Sequence, residues 1–295
     1  MPTSSYEGKS HLYVAGGYLT TALSLIPQRL FDWVVGTNVH GRRNSKIPPR
    51  TWRREKYAGN GEGSVLVFPG WHVDIETMEP LYDLFERDVI VHQLPDSVVS
   101  SDLQGSIDEF TLMEERIEDD LGDARSVVCM SMGTTLGFYA ANRVAEMYPG
   151  QLEDLVAIQT GIGTASAVFN CAITKHIVAD LMAKYPHETP AEARRLAQKD
   201  LEEATGQYDP VRNLKHLAKT PTNGMKPRVS IFEGMADGVI SPVGEQIFPL
   251  LAAMRAGGVD YNIDFQQKCG HYSILPHTVK ALQNGRSDLL GPREA

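Results

Sequence analysis

Six short apolar runs separated by helix-like segments constrain this 295-residue chain more than any other feature. They are SVLVFPG from Ser64, DVIVHQLP from Asp88, RSVVC from Arg125, LEDLVAIQTG from Leu152, RVSIFEG from Arg228 and DYNIDFQQ from Asp260. Their length and β-branched content suit buried strands. After the first run, Met78, Leu81 and Phe85 recur at helical spacing, with Pro80 tolerable only in a first turn. After the second, residues 107–121 form an acidic amphipathic pattern with Phe110, Met113 and Ile117 on one side. Residues 133–148 read as a helix after the third, Ser241 and Pro242 open another, and 274–282 a last one. Strands that alternate with helices in this way predict a mostly parallel sheet flanked by helices on both faces, an α/β class.

The alternation is interrupted once. Residues 163–225 read as helices only, and one of these is locally well marked: Thr189 as N-cap, Pro190 in the first helical position and Glu192 completing a capping box. The insertion leaves after LEDLVAIQTG, hence at the carboxyl edge of the sheet, where ligands bind in open α/β folds. A helical lid is therefore expected over 163–225, on a core formed by 64–162 and 226–295, with 1–63 as a separate N-terminal segment. Within the lid, Val168, Phe169, Ile173, Ile177 and Leu181 recur near helical spacing. Such a stripe suits packing onto the core, and Phe169 and Ile173 are also placed to line an acyl pocket.

One serine sits where a strand hands over to a helix, in CMSMG at residues 129–133. Alone, Ser131 reads equally well as a helix N-cap. A nucleophile, however, must be held with its oxygen exposed above the sheet edge, and a sharp strand-to-helix turn does that when small residues stand two places either side. Gly133 is one; Cys129 replaces the usual first glycine, a small but not minimal substitute. A serine hydroxyl also needs a base, itself oriented by a carboxylate. Asp237 follows RVSIFEG, and His271 follows DYNIDFQQ, so each sits just past a strand. Asp154 is a weaker candidate acid because it begins its strand. Asp237 as a capping acid near Ser241 and His271 as a surface residue are the competing assignments, and the agreement of three placements in the order Ser, Asp, His outweighs them.

At this point the chain resembles the α/β-hydrolase fold family over residues 64–285. FPGW at the first strand's end, CMSMG at the elbow, EGMADGVISP at the acid and CGHYS at the base carry the resemblance. It implies that Ser131 is the nucleophile, His271 the general base and acid, and Asp237 the group orienting the imidazole. The backbone amides of Trp71 and Met132 would form the oxyanion hole. The implied chemistry is acyl transfer: hydrolysis of a carboxylic ester or thioester through an acyl-enzyme, without metal or organic cofactor. An acyltransferase using an alcohol acceptor and a non-catalytic binding member are the alternatives. His72 and His92 read as loop or core histidines, and Cys269 and the Met130 and Met132 pair as packing.

The formal charge of −9 argues against a nucleic-acid partner, since phosphate binding rests on Lys and Arg. Cys129, Cys171 and Cys269 have no metal-ligand spacing and leave an odd thiol, so neither a metal site nor a disulfide framework is expected. No stretch reaches transmembrane length or reads as a secretory signal, which predicts a cytoplasmic setting. The N-terminal segment joins an apolar run over 19–35 to a basic cluster containing Arg42, Arg43, Lys46, Arg50, Arg53, Arg54 and Lys56. A basic arm paired with the acidic body is the plainer expectation; peripheral contact with anionic lipid is the sharper one.

Overall fold

The computed structural model describes residues 50–54, 63–71, 73, 75–95, 98, 102–161, 163–171, 174–220, 227–237, 239 and 243–285. The six apolar runs form strands β2 (Ser64–Phe68), β3 (Asp88–Gln93), β4 (Ala124–Met130), β5 (Asp154–Ile158), β6 (Arg228–Gly234) and β7 (Tyr261–Gln266). They join one sheet of order β1-β3-β2-β4-β5-β6-β7, parallel throughout except for β1 (Arg50–Arg54), which pairs antiparallel with β3. This is the α/β class that the alternation predicts.

Strand β1 departs from the sequence reading, which treats its residues as part of a basic arm. An edge strand has one unpaired side, and charged residues are tolerated there and discourage further pairing. Its Arg53 side chain is 44% exposed and still reaches Asp120 at 2.6 Å. The remainder of the basic cluster, the apolar run 19–35 and His72 lie outside the described residues, as do Ile173, Ser241 and Pro242.

Helices follow in the expected order. A 3-10 turn at Ile75–Met78 runs into the short α1 (Glu79–Tyr82), whose first turn holds Pro80. Then come α2 (Leu103–Glu118) and α3 (Gly133–Met147). Between β5 and β6 the described elements are helical: α4 (Thr164–Asn170), α5 (Lys175–Met182), α6 (Pro190–Thr205) and α7 (Pro210–Leu217). Helices α8 (Val243–Gly257) and α9 (Ile274–Gly285) flank β7 in sequence.

The two-residue period of the strands divides the interior. Val65, Val67, Val89, Val91, Val128, Met130, Val156 and Ile158 face α1 and α9, with Leu81, Ile274 and Leu282 among their neighbours. The alternate residues, including Leu66, Phe68, Val127, Cys129, Leu155 and Ala157, face α2, α3, α8 and the helical insertion. Because both faces are covered, β2 and β5 are buried at every position and read as unbroken apolar runs. Helix α6 packs on α2, and α7 packs between α3 and α8. Among the described residues no helix is long and apolar enough to cross a membrane.

Candidate active site

The carboxyl ends of β4, β5 and β6 are in register, Met130 opposite Ile158 and Ile158 opposite Phe232. The residues of interest leave the sheet from this line. Ser131 is the first residue past β4, partly exposed, and its φ of 52° lies in the left-handed region that a side chain rarely adopts. Three hydrogen bonds hold it there. Its N–H donates to the Ile158 carbonyl at 2.8 Å, and its carbonyl accepts from the Thr134 N–H at 3.0 Å and from the Thr134 hydroxyl at 2.6 Å as α3 begins.

The turn is as crowded as a nucleophile elbow requires. A Cβ on Gly133 would run into the backbone carbonyl oxygens of Phe68 and Pro69. One on Gly70 would stand 3.0 Å from the Ser131 Cβ, so the turn after β2 lies directly against the serine. Trp71, partly exposed, and Met132, buried, therefore sit in two turns that touch. Cys129, which takes the place of the usual first glycine, is accommodated by a second glycine: a Cβ on Gly137, one turn into α3, would come within 2.7 Å of the Cys129 Sγ. Burial pushes the Cys129 thiol up, so it stays protonated as a packing group.

Asp237 and His271 meet. The His271 Nδ1 lies 2.8 Å from the Asp237 Oδ2, and both residues are almost wholly buried. What brings them together is backbone: the Ala236 N–H donates to the Cys269 carbonyl at 3.0 Å and the Met235 N–H to the Gln266 carbonyl at 3.0 Å. Gly234 makes that approach sterically possible, since a Cβ there would lie 2.5 Å from the Cys269 oxygen. The Asp237 Oδ1 accepts from the Val239 N–H at 2.6 Å. The Gly270 N–H donates to the Ser273 Oγ at 2.9 Å, and Tyr272 meets the imidazole edge-on with centroids 5.2 Å apart.

Three residues of this shelf escape a reading by sequence. Gln159, the first residue past β5, has φ 50° and bridges the Gly234 N–H to the Asp237 carboxylate. Its own N–H donates to the Phe232 carbonyl at 2.9 Å. Glu233 is buried beside it and accepts from the Thr160 N–H at 2.8 Å. Burial pushes the Glu233 carboxyl well above the usual carboxylate range; the Thr160 bond opposes this, and the Asp237 charge adds to it. The available signal was polarity at the end of an apolar run, Gln159 and Thr160 closing LEDLVAIQTG, but such residues close most strands. Gly234 is the third.

Phe169 and its neighbours do not stand apart from the core. Val168, Phe169, Ile177 and Leu181 are buried in the cluster on the α2 and α3 side of the sheet, and the Arg194 guanidinium lies 5.1 Å from the Phe169 ring centroid. Asp154, the weaker candidate acid, is taken up at the opposite end of the sheet in a bidentate pair with Arg228, at 2.7 and 3.1 Å. His92 is fully buried, stacked on Phe68 with centroids 5.5 Å apart.

No protein-family model matches the chain, and no curated protein matches it in sequence. Solved structures do. An α/β hydrolase, MGS-M2, from a Medee basin deep-sea metagenome library is similar with 12% identity and a TM-score of 0.50, covering 85% of this chain and 99% of the other. A single-substitution variant of the esterase rPPE is similar with 14% identity and a TM-score of 0.50, covering 95% and 97%. For an acylaminoacyl peptidase from Pyrococcus horikoshii the values are 10% and 0.48, covering 88% of this chain and 44% of that one. At such identities the first two likenesses establish architecture alone, and the architecture is the α/β-hydrolase fold.

Proposed function

We propose that the chain is a serine hydrolase that cleaves a carboxylic ester or thioester through a covalent intermediate on Ser131. The observation that carries this reading is the 2.8 Å contact between His271 Nδ1 and the Asp237 carboxylate, on turns next to a serine held at positive φ. A carboxylate only accepts, so Nδ1 carries the proton in this contact and the other ring nitrogen, Nε2, is left as the base. That nitrogen would take the Ser131 hydroxyl proton as the oxygen attacks the acyl carbon. The negative charge that develops on the carbonyl oxygen would be met by the amides of Met132 and Trp71, in the two turns that Gly70 allows to touch. The imidazolium would then protonate the departing alcohol or thiol, and water would repeat the sequence to release the acid.

The insertion follows β5 directly, and its position supports a lid whose apolar side, Phe169 included, borders the acyl group. An acyltransferase would use the same groups, with an alcohol in place of water in the second half, and product analysis with added alcohols separates the two. The direct test is labelling by a fluorophosphonate, which reacts only with an activated serine. The protein should be labelled at Ser131, and Ser131→Ala should lose both labelling and turnover of p-nitrophenyl esters and acyl thioesters. Retained turnover in that variant would end the proposal.

A further inference from the structure

We infer that Gln159 is a positioning residue for the acid of the site, fixing the Asp237 carboxylate in the orientation that presents it to His271; this rests on the reading of Ser131, Asp237 and His271 given above. The hydrogen bonds admit one assignment of the amide. The Gly234 N–H can only donate, so the Gln159 oxygen must face it, and the Gln159 NH2 is then turned to the Asp237 Oδ2. That oxygen therefore receives two donors, the Gln159 amide and His271 Nδ1, while Oδ1 receives the Val239 N–H. With three donors in place the carboxylate plane is fixed, and so is the imidazole that leans on it.

The backbone supports the assignment. Gln159 is a non-glycine residue at φ 50°, and a conformation of this kind persists only where its surroundings hold it. Here the Phe232 carbonyl takes its N–H, and the whole side chain is 2% exposed. The amide thus ties the end of β5 to both the end of β6 and the acid turn, across strands that are already in register. Glu233, the neighbouring carboxyl of this shelf, accepts from the Thr160 N–H, while the Gln159 NH2 is directed to Asp237.

Two substitutions test this. Gln159→Leu keeps the bulk and removes the side-chain bonds to Asp237 and to the Gly234 N–H and carbonyl. Gln159→Asn keeps the amide and suits the left-handed backbone, but is one methylene too short to span Gly234 and Asp237. Both are expected to melt as cooperative folded proteins, with kcat lowered by about ten- to a hundredfold and KM changed less than about twofold. In both, the downfield proton resonance of His271 Nδ1–H should broaden away, because a carboxylate free to rotate lets that proton exchange with water. A folded variant that keeps this resonance and the parent kcat overturns the inference. Because the resonance is read without substrate, the two ideas fail separately: an unlabelled Ser131 removes the serine mechanism, while an unchanged resonance in Gln159→Asn removes the positioning role alone.

Discussion

Helices α3 and α6 are nearly equal in length, 15 and 16 residues, and are made in opposite ways. In α3 almost every residue from Gly133 to Ala145 is buried, and it begins Gly-Thr-Thr, with Gly137 a turn later; these are poor helix formers. Helix α6 is Ala, Glu, Arg, Gln, Lys and Leu for most of its length and buries only Ala193, Ala197, Leu201 and Thr205. Its exposed face carries local pairs such as Arg195 with Glu192 and Lys199 with Glu203. The first helix is held by where it must lie, between the elbow and the sheet. The second is held largely by its own cap and composition. The contrast teaches that substitutions near the sheet edge should act through tertiary fit, and those in the insertion through local terms.

The comparison can be broken most visibly at the edge. Asp237→Asn should lower ester turnover by about 10⁴-fold at neutral pH by disturbing the His271 tautomer, in a folded protein whose melting temperature falls because the new NH2 must face one of the three donors around this side chain. Activity near that of the parent would mean that the buried pair does not serve the serine. Next is Gly133→Ala, at which a methyl would meet two backbone carbonyls that cannot retreat; a loss of about 3 kcal/mol or more in a denaturant titration is expected. A loss below 1 kcal/mol, judged against an ordinary surface substitution, would show the elbow to be looser than described.

Phe169→Ala sharpens the contrast from within the insertion, since this ring is buried while most of α6 is not. Truncation should cost about 3 kcal/mol. If the residue also borders the acyl group, the preferred acyl length should change while acetyl ester turnover stays close to that of the parent. A fall in stability with an unaltered chain-length profile assigns Phe169 to packing alone.

Asp209 stands just before α7, and its carboxylate, rather than capping that helix, accepts from the Thr164 N–H at 3.3 Å, joining the two ends of the insertion. Burial raises its carboxyl from 3.8 to about 6, with the Thr164 bond opposing this and the Glu202 charge adding to it. The folded state therefore holds a proton that the unfolded chain has already shed between these values, and stability falls as pH rises through that window. Above about 6 the penalty is complete; below 3.8 it is absent. Asp209→Asn should accordingly gain on the parent by about 1 kcal/mol at pH 8, after allowance for solvent screening of a partly exposed group, and lose that gain in acid. A gap independent of pH contradicts the account. The smallest effect belongs to the exposed cap: Thr189→Ala removes the bond from the Glu192 N–H at 3.3 Å and should cost about 0.5 kcal/mol.

The order of these effects parallels what could be read beforehand. The strands were legible because burial on both faces writes itself as continuous apolar residues, and α6 was legible because its start signals are local. Ser131, Asp237 and His271 could be nominated because each follows a strand, and parallel strands deliver their carboxyl ends to one edge. Strand β1 was not legible: five residues with three arginines acquire strand character only by pairing with β3.

Local patterns along the chain suffice for the class of fold, the chain order of the candidate nucleophile, acid and base, and the helical nature of the segment between β5 and β6. These depend on periodicity, turn chemistry and burial, which act within a few residues. That Asp237 and His271 are in contact, and that Gly137 makes room for Cys129, follows from the folded chain and from nothing local. So does the reach of Gln159 to a glycine and an aspartate more than seventy residues away. Those facts are relations between segments distant in the chain. They come into being only when β4, β5 and β6 lie side by side, because hydrogen bonds and steric fit act over a few ångströms of space whatever the separation in sequence.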